Sequence, residues 1–270
     1  MRELAGKVAV ITGAARGIGR ALARVCGAEG MKVVLADIDA EALDEAGAEL
    51  ARTRVEGMAM TCDVAREAEV EELANVAFGH FGAVHLLCNN AGVAGTVGPC
   101  WTIEAEEWDR DLAVNLGGVI HAIRAFVPRM LEQEGEAHIV NTASVMGLLP
   151  VGMAASYGVS KAGVVALSEA LALELRQQGG RIGVTVLCPA AVATDIAKSL
   201  KIKDEAMESL RAEIHEDLQK GVRAEDVARA ALEAVREGRF SVLPPMPGAR
   251  QVVDRVEGLL AGGQPFAARF

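Results

Sequence analysis

The chain has 270 residues, 51% of them hydrophobic, and a formal charge of −10 at pH 7. So much apolar material excludes a disordered chain, and the length suits one large α/β domain or two small ones. The acidic balance argues against a nucleic-acid partner or an anionic membrane surface, both of which need basic patches.

Residues 1–6 run straight into a strand-like stretch with no basic-then-apolar leader, so no signal peptide is expected and the setting reads as cytoplasmic. Short apolar runs then predict strands at 8–12, 32–36, 58–62, 84–88, 138–141 and 183–188, with a weaker seventh at 240–243. Helical patterns fill the gaps at 17–29, 40–52, 67–81, 106–132, 156–177 and 224–237. Gly30, Gly135 and the Gly179-Gly180 pair follow three of these, as helix C-termini prefer. Strand and helix alternating in this way predict a Rossmann-type, doubly wound parallel sheet of about seven strands. Helices cover both faces, and its strands are buried on both sides. With no composition break, linker or repeat, residues 1–270 read as one domain.

The stretch 194–220 departs from the alternation. It is charged, carries Met207, Leu210, Ile214 and Leu218 at helical spacing, and ends at Gly221. A helix there would overhang the C-terminal edge of the sheet, where open α/β folds bind ligands. Two readings stay open: a lid over the substrate, or a helix packed on the body. No apolar run approaches the roughly 20 residues needed to span a bilayer. The five cysteines form no C-x-x-C and read as small buried hydrophobes in a reducing compartment. The five histidines show no ligand spacing, so no metal is expected. Trp101, Trp108 and the nine methionines read as core.

Chemistry concentrates at the strand ends. The first strand closes in Thr12-Gly13-Ala14-Ala15-Arg16-Gly17-Ile18-Gly19 and opens a helix. Glycines there permit a tight turn and close approach of backbone to a pyrophosphate. The helix N-terminus offers free N–H groups and the positive end of a dipole. Asp37 ends the second strand, placed to accept hydrogen bonds from an adenosine ribose. Arg16 could reach a 2′-phosphate, another part of the cofactor, or only solvent. Tyr157 and Lys161 stand four apart on a predicted helix, hence on one face. A free phenol titrates near 10, too high for a base at neutrality, and a neighbouring ammonium would lower that value. Tyr157 is the only tyrosine in the chain, so no other residue can supply tyrosine-dependent chemistry.

The spacing T-G-x-x-x-G-x-G resembles the short-chain dehydrogenase/reductases, in their compact single-domain branch, and the resemblance continues in order along nearly the whole chain. Asp63-Val64 match the family's adenine-contacting pair, and Asn89-Asn90-Ala91-Gly92 match its N-N-A-G motif, with Asn90 as the cofactor contact. Asn115 matches its catalytic asparagine, and Ser144, Tyr157 and Lys161 match its S…Y-x-x-x-K set. The resemblance implies that Tyr157 is the acid/base and that Lys161 also holds the nicotinamide ribose. It further implies that Ser144 hydrogen-bonds the substrate oxygen and that Asn115 supports a water-linked proton path. After the sixth strand, Pro189, Val192 and Thr194 would meet the nicotinamide, but Ala190 stands where the family usually has glycine. If that position needs φ > 0, the turn is strained.

These readings converge on an NAD(H)-dependent oxidoreductase moving a hydride between nicotinamide and a secondary alcohol or ketone. An NADP(H)-dependent carbonyl reductase and a dinucleotide-binding regulator without catalysis are the alternatives. An epimerase or dehydratase of the longer relatives would need a substrate domain this length does not hold. Asp37 favours NAD over NADP. The uncharged stretch 145–155 would border the substrate, so a pocket lined by Met146, Leu148, Leu149 or Met153 predicts an uncharged, largely apolar compound. Lys198, Lys201 or Lys203 could still meet an anion from the 194–220 segment. The resemblance also implies a homotetramer or homodimer built on the helices at 106–132 and 156–177, with Ala162, Ala166 and Ala170 facing the partner.

Overall fold

Seven parallel strands form the central sheet of the computed structural model, which describes residues 1–202, 209–243 and 249–264. They are β1 (Val8–Thr12), β2 (Lys32–Asp37), β3 (Gly57–Thr61), β4 (Leu86–Asn89), β5 (Ala137–Thr142), β6 (Ile182–Leu187) and β7 (Ser241–Val242). Their spatial order is β3-β2-β1-β4-β5-β6-β7. The helices between them are α1 (Gly17–Ala28), α2 (Ala40–Arg52), α3 (Glu67–Phe81), α4 (Ala105–Leu112), α5 (Gly118–Glu132), α6 (Ala155–Gln177), α7 (Ser209–Gln219), α8 (Ala224–Glu237) and α9 (Ala249–Leu260). Chain order reverses in space between β1 and β4, and such a reversal opens a crevice at the carboxyl ends of the two strands.

Strand side chains alternate between two cores, as the two-residue repeat of a pleated strand requires. Ala9, Ile11, Val33 and Leu35 pack under α1, α2 and α8, against Leu22, Leu43 and Leu232. Val8, Val10, Val34 and Leu87 pack on the opposite face, under α3, α5 and α6, against Leu73, Phe126 and Leu171. The edge strand β3 corrects one expectation: Gly57, Ala59 and Thr61 are exposed, because β3 is the last strand of the sheet.

Residues read as core lie outside it, Met153 at 40% exposure among them. Trp101 is 83% exposed in the surface turn before α4, and Cys100 beside it is exposed while the other four cysteines are buried. The helix expected over 106–132 is broken in the middle by a π-turn at Ala113–Gly117. A π-turn inserts an extra residue into the helical ladder. Here it turns Asn115 fully inward, to bond the backbone of Val93. The 194–220 stretch holds a 3-10 turn at Ile196–Ser199 and α7, and Lys201–Ile202 pairs with Thr96–Val97 in a small separate ladder. Met207 and Lys203 lie outside the described residues. No helix among the described residues is long and apolar enough to cross a membrane.

Phe126 of α5 is fully buried, its ring 6.0 Å from that of Phe78. Phe126→Ala should therefore lower the unfolding free energy by about 3–5 kcal/mol. Urea denaturation measures this, and a loss under about 1 kcal/mol would mean that the α3–α5 layer is not the packed core described.

Candidate active site

At the β1/β4 reversal the two strand ends are fastened by a single hydroxyl. Thr12 Oγ1 accepts the N–H groups of Asn90 and Ala91 at 3.0 and 3.1 Å and donates to Cys88 O at 3.4 Å. The Asn90 amide adds donations to Thr12 O and Gly13 O at 3.1 and 3.3 Å. Asn90 lines the cleft, as expected of a cofactor contact, but its N–H donors hold the glycine loop in place. So close an approach requires glycine. A Cβ on Gly13 (φ +65°) would sit 2.8 Å from Ala91 Cα, and one on Gly19 would sit 2.0 Å from Gly13 O.

Above this seam lies a cleft of about 1020 Å³. Gly13, Arg16, Gly17, Ile18, Asp37, Asp63, Val64, Asn90, Ala91 and Gly92 line one part of it, and Ser144, Tyr157, Lys161, Pro189, Val192 and Thr194 line the other. Of the expected site residues, Gly19 and Asn115 stand behind the wall. Gly19 keeps α1 close to the loop, and Asn115 bonds Val93 N, Val93 O and Ser160 Oγ at 2.8–3.1 Å. Ala190 is free of the feared strain, because Arg54 and Met153 are the described non-glycine residues with positive φ.

At the Asp37 end the carboxylate is held by two backbone donors, Ala15 N at 2.9 Å and Asp39 N at 3.1 Å. Arg16 is turned away from it, donating to Asp39 Oδ2 at 2.8 Å. The pairing raises the guanidinium pKa and lowers that of the Asp39 carboxyl. Asp39 also caps α2 by accepting from Ala42 N. The motif reading passed over Asp39, although an aspartate just before an alanine-rich helix is a capping signal. Val64 is held from behind by His121, whose Nδ1 lies 2.9 Å from Val64 O.

At the other end Ser144 follows β5 and starts a short 3-10 turn, accepting from Met146 N at 3.1 Å. Its side chain shares the cleft with Tyr157. Lys161 is buried one helical turn on, with Nζ 5.8 Å from the centroid of the tyrosine ring. The expected lowering of the Tyr157 pKa is reversed. Burial is the largest influence and pushes the phenol above its ordinary value, with the Ser144 side chain opposing it. Lys161 spends its ammonium elsewhere, on Thr142 O at 3.0 Å, and burial pushes it down to about 8. Spacing alone places the two side chains on one helix face but cannot show that the carbonyl of β5 claims the ammonium. Gly92 separates this pair from Asn115: a Cβ there would lie 3.0 Å from Asn115 Oδ1 and 3.3 Å from Lys161 Nζ.

A family profile described as short chain dehydrogenase matches residues 7–205. The chain belongs to the short-chain dehydrogenases. Among curated relatives, the 1-deoxy-11-beta-hydroxypentalenate dehydrogenase of Streptomyces exfoliatus is 37% identical over 88% of this chain and 82% of its own. The D-threitol dehydrogenase of Mycolicibacterium smegmatis is 37% identical over 72% and 73%. A short chain dehydrogenase/reductase from Burkholderia phymatum, solved in complex with NAD, superposes over the whole of both chains with a TM-score of 0.94 and 40% identity. The protein is thus an NAD(P)-dependent oxidoreductase acting on CH–OH or C=O groups. The cradle fits such a cofactor: a Cβ at Gly13 would close the loop, and the α1 N-terminus carries no side-chain cap that would compete for its N–H groups.

In this short-chain dehydrogenase, Gly19→Ala should drive the new methyl into Gly13 O and weaken NADH binding at least a hundredfold. Gly47→Ala, whose Cβ would meet only Ala59 Cβ at 3.7 Å, should bind normally. NADH fluorescence titration compares the two, and equal affinities would show that the loop does not need its close approach.

Proposed function

We propose that the protein is an NAD(H)-dependent dehydrogenase/reductase of an uncharged, largely apolar secondary alcohol or ketone, with Tyr157 exchanging the proton. The observation that carries this reading is a single cleft lined by Ser144, Tyr157 and Lys161 together with the glycine loop and Asp37. Gly13, Gly17, Ile18, Ala91 and Gly92 would hold the phosphates and nicotinamide half, Asp37 the adenosine ribose, and Asp63 and Val64 the adenine. Pro189, Val192 and Thr194 would border the nicotinamide. The bound nicotinamide supplies or takes the hydride. Ser144 would orient the substrate oxygen, and Tyr157 would give that oxygen a proton during reduction or remove one during oxidation. Lys161 would hold the nicotinamide ribose. Asn115 would support the proton path by fixing the backbone of Val93 beside Lys161.

Burial keeps Tyr157 protonated near neutrality, the form that donates to the substrate oxygen during reduction. Tyr157→Phe should lower kcat by several orders of magnitude while NADH affinity changes little, since the hydroxyl acts mainly in the transition state. In the unmutated enzyme, kcat/KM for reduction should hold steady up to about pH 8 and fall above it as Lys161, held near 8, loses its proton. Near-normal turnover by the phenylalanine variant, or a rate still rising at pH 9, would contradict the mechanism.

The substrate end supports an apolar ligand. Val97, Met146, Leu149, Leu200, Ile214 and Leu218 line it, and Lys198 is paired with Asp195 at 2.7 Å. Leu148 and Met153, named with Met146 and Leu149 as candidate lining, do not line the cleft: Leu148 packs into a core cluster and Met153 is 40% exposed. Among the described lining residues Lys198 is already paired, so an anion placed there would be desolvated at a cost. We assign the 194–220 segment, through Ile214 and Leu218, the part of a substrate lid.

Asp37 supports NAD over NADP. A 2′-phosphate would bring a dianion to its carboxylate, and two unit charges about 4 Å apart repel by roughly 1 kcal/mol in water and about 4 kcal/mol at an intermediate dielectric. That corresponds to a preference of roughly ten- to several-hundred-fold. Arg16, the basic residue of the glycine loop, is committed to Asp39. Asp37→Ala should narrow the NAD/NADP gap in kcat/KM, and adding Asp39→Ala, which frees Arg16, should narrow it further. An unmutated enzyme that prefers NADP would overturn the assignment.

A homodimer or homotetramer is supported by α6, where Val159, Ala162, Ala166, Ala170 and Leu173 are all exposed at helical spacing. Small residues along such a stripe let two helices approach closely. Light scattering at micromolar concentration should give two or four chains for the native protein and fewer for Ala166→Glu; a native monomer would refute this.

A further inference from the structure

A buried polar cluster lies beside Tyr157, made by residues with no part in the chemistry above. Asp111 of α4 is completely buried. One carboxylate oxygen accepts from Arg110 Nε at 2.9 Å, and the other accepts the Ser156 hydroxyl at 2.6 Å. Ser156, also completely buried, is the residue before Tyr157, and its oxygen accepts Thr96 N–H at 3.3 Å. The chain at Gly95 (φ +82°) presses on the same point, since a Cβ there would lie 3.0 Å from Tyr157 Cβ and 3.2 Å from Asp111 Oδ2.

The strap 94–98 is tied on both sides. Toward α6, Gly98 N donates to Met153 O at 2.9 Å. Toward the segment over the cleft, Ala94 N donates to Ser199 Oγ at 2.8 Å and Lys201 N to Gly95 O at 3.1 Å. The first turn of α6 has no side-chain cap, so these tertiary bonds are what place it.

We propose that Asp111 is a positioning residue: through Ser156 it clamps the strap 94–98 between the first turn of α6 and residues 199–202, so that the cover of the cleft and Tyr157 are set by one buried hydrogen-bond chain. The catalytic consequence rests on the reading of Tyr157 given above; the clamp itself does not. A buried carboxylate is tolerated only when its oxygens are satisfied, and removing one partner strands the other. Asp111 and Ser156 should therefore act as one unit.

Hydrogen exchange with mass spectrometry on the full chain tests the clamp without a substrate. Ser156→Ala and Asp111→Ala should each speed exchange at least tenfold in both 94–98 and 199–202, leave α8 unchanged, and show no further gain when combined. Asp111→Asn keeps an acceptor for the Ser156 hydroxyl and should exchange as the native protein does. With NADH and 2-decalone as the assay pair, Ser156→Ala should raise KM about tenfold with a smaller change in kcat and an unchanged NADH Kd. The clamp is overturned if residues 199–202 of Ser156→Ala exchange at the native rate, or if exchange rises uniformly along with a lowered Tm. Should Asp111→Ala fail to fold, Ser156→Ala and Asp111→Asn decide. Equal 2-decalone reduction by native protein and Tyr157→Phe would sink the catalytic reading alone and leave the exchange result to judge the clamp.

Discussion

The hydroxyl of Thr12 holds the carboxyl ends of β1 and β4 together, and most of the site is hung from that seam. It satisfies two consecutive backbone N–H groups, of Asn90 and Ala91, at the point where the strand order reverses. A neutral hydrogen bond contributes only about 1 kcal/mol net, but leaving its buried partners unmade costs about 1–3 kcal/mol for each group. The seam thus fixes how near Gly13 comes to Ala91, which in turn fixes where the N-terminus of α1 points. From β4 the chain continues through Gly92 and Val93 to the backbone that Asn115 grips, and so to the neighbourhood of Lys161.

Electrostatics at the two ends of the cleft follow from what each charge has already been given. At one end Asp37 is held by backbone donors while Arg16 is drawn off by Asp39, so the ribose side presents a carboxylate with no cation of its own. At the other end a buried ammonium and a half-buried phenol share a helix face, and desolvation moves each toward its neutral form. Both effects are set by groups outside the reacting pair, the Asp39 carboxylate at one end and the packing around α6 at the other. This is why a change far from the reacting carbon should alter which cofactor binds or how the rate depends on pH.

Much of this was legible in the amino-acid order. The bounds of β1, α2, α3 and α8 coincide with the periodic segments, because strongly apolar or amphipathic runs leave little choice of register. The site residues were found from strand-end motifs, since a parallel sheet gathers all its carboxyl ends on one edge. What escaped depends on long-range partners. Asp111 and Ser156 meet across 45 positions, and nothing local marks either as buried. The break in the helix at Asn115 and the exposure of Trp101 likewise arise from tertiary contacts that periodicity does not encode. Local propensity also misjudged β3, which is left exposed because the sheet ends there.

The seam can be tested by a substitution that keeps its volume and removes its polarity. Thr12 is buried, so valine fits the same space but accepts no hydrogen bond, whereas serine keeps the hydroxyl. NADH titration of Thr12→Val, Thr12→Ser and native protein is therefore the direct measurement. The account predicts at least a tenfold loss of affinity for the valine variant and near-native binding for the serine variant. Native affinity in a correctly folded Thr12→Val would contradict it, because the glycine loop would then be placed without the bond on which the site is said to depend.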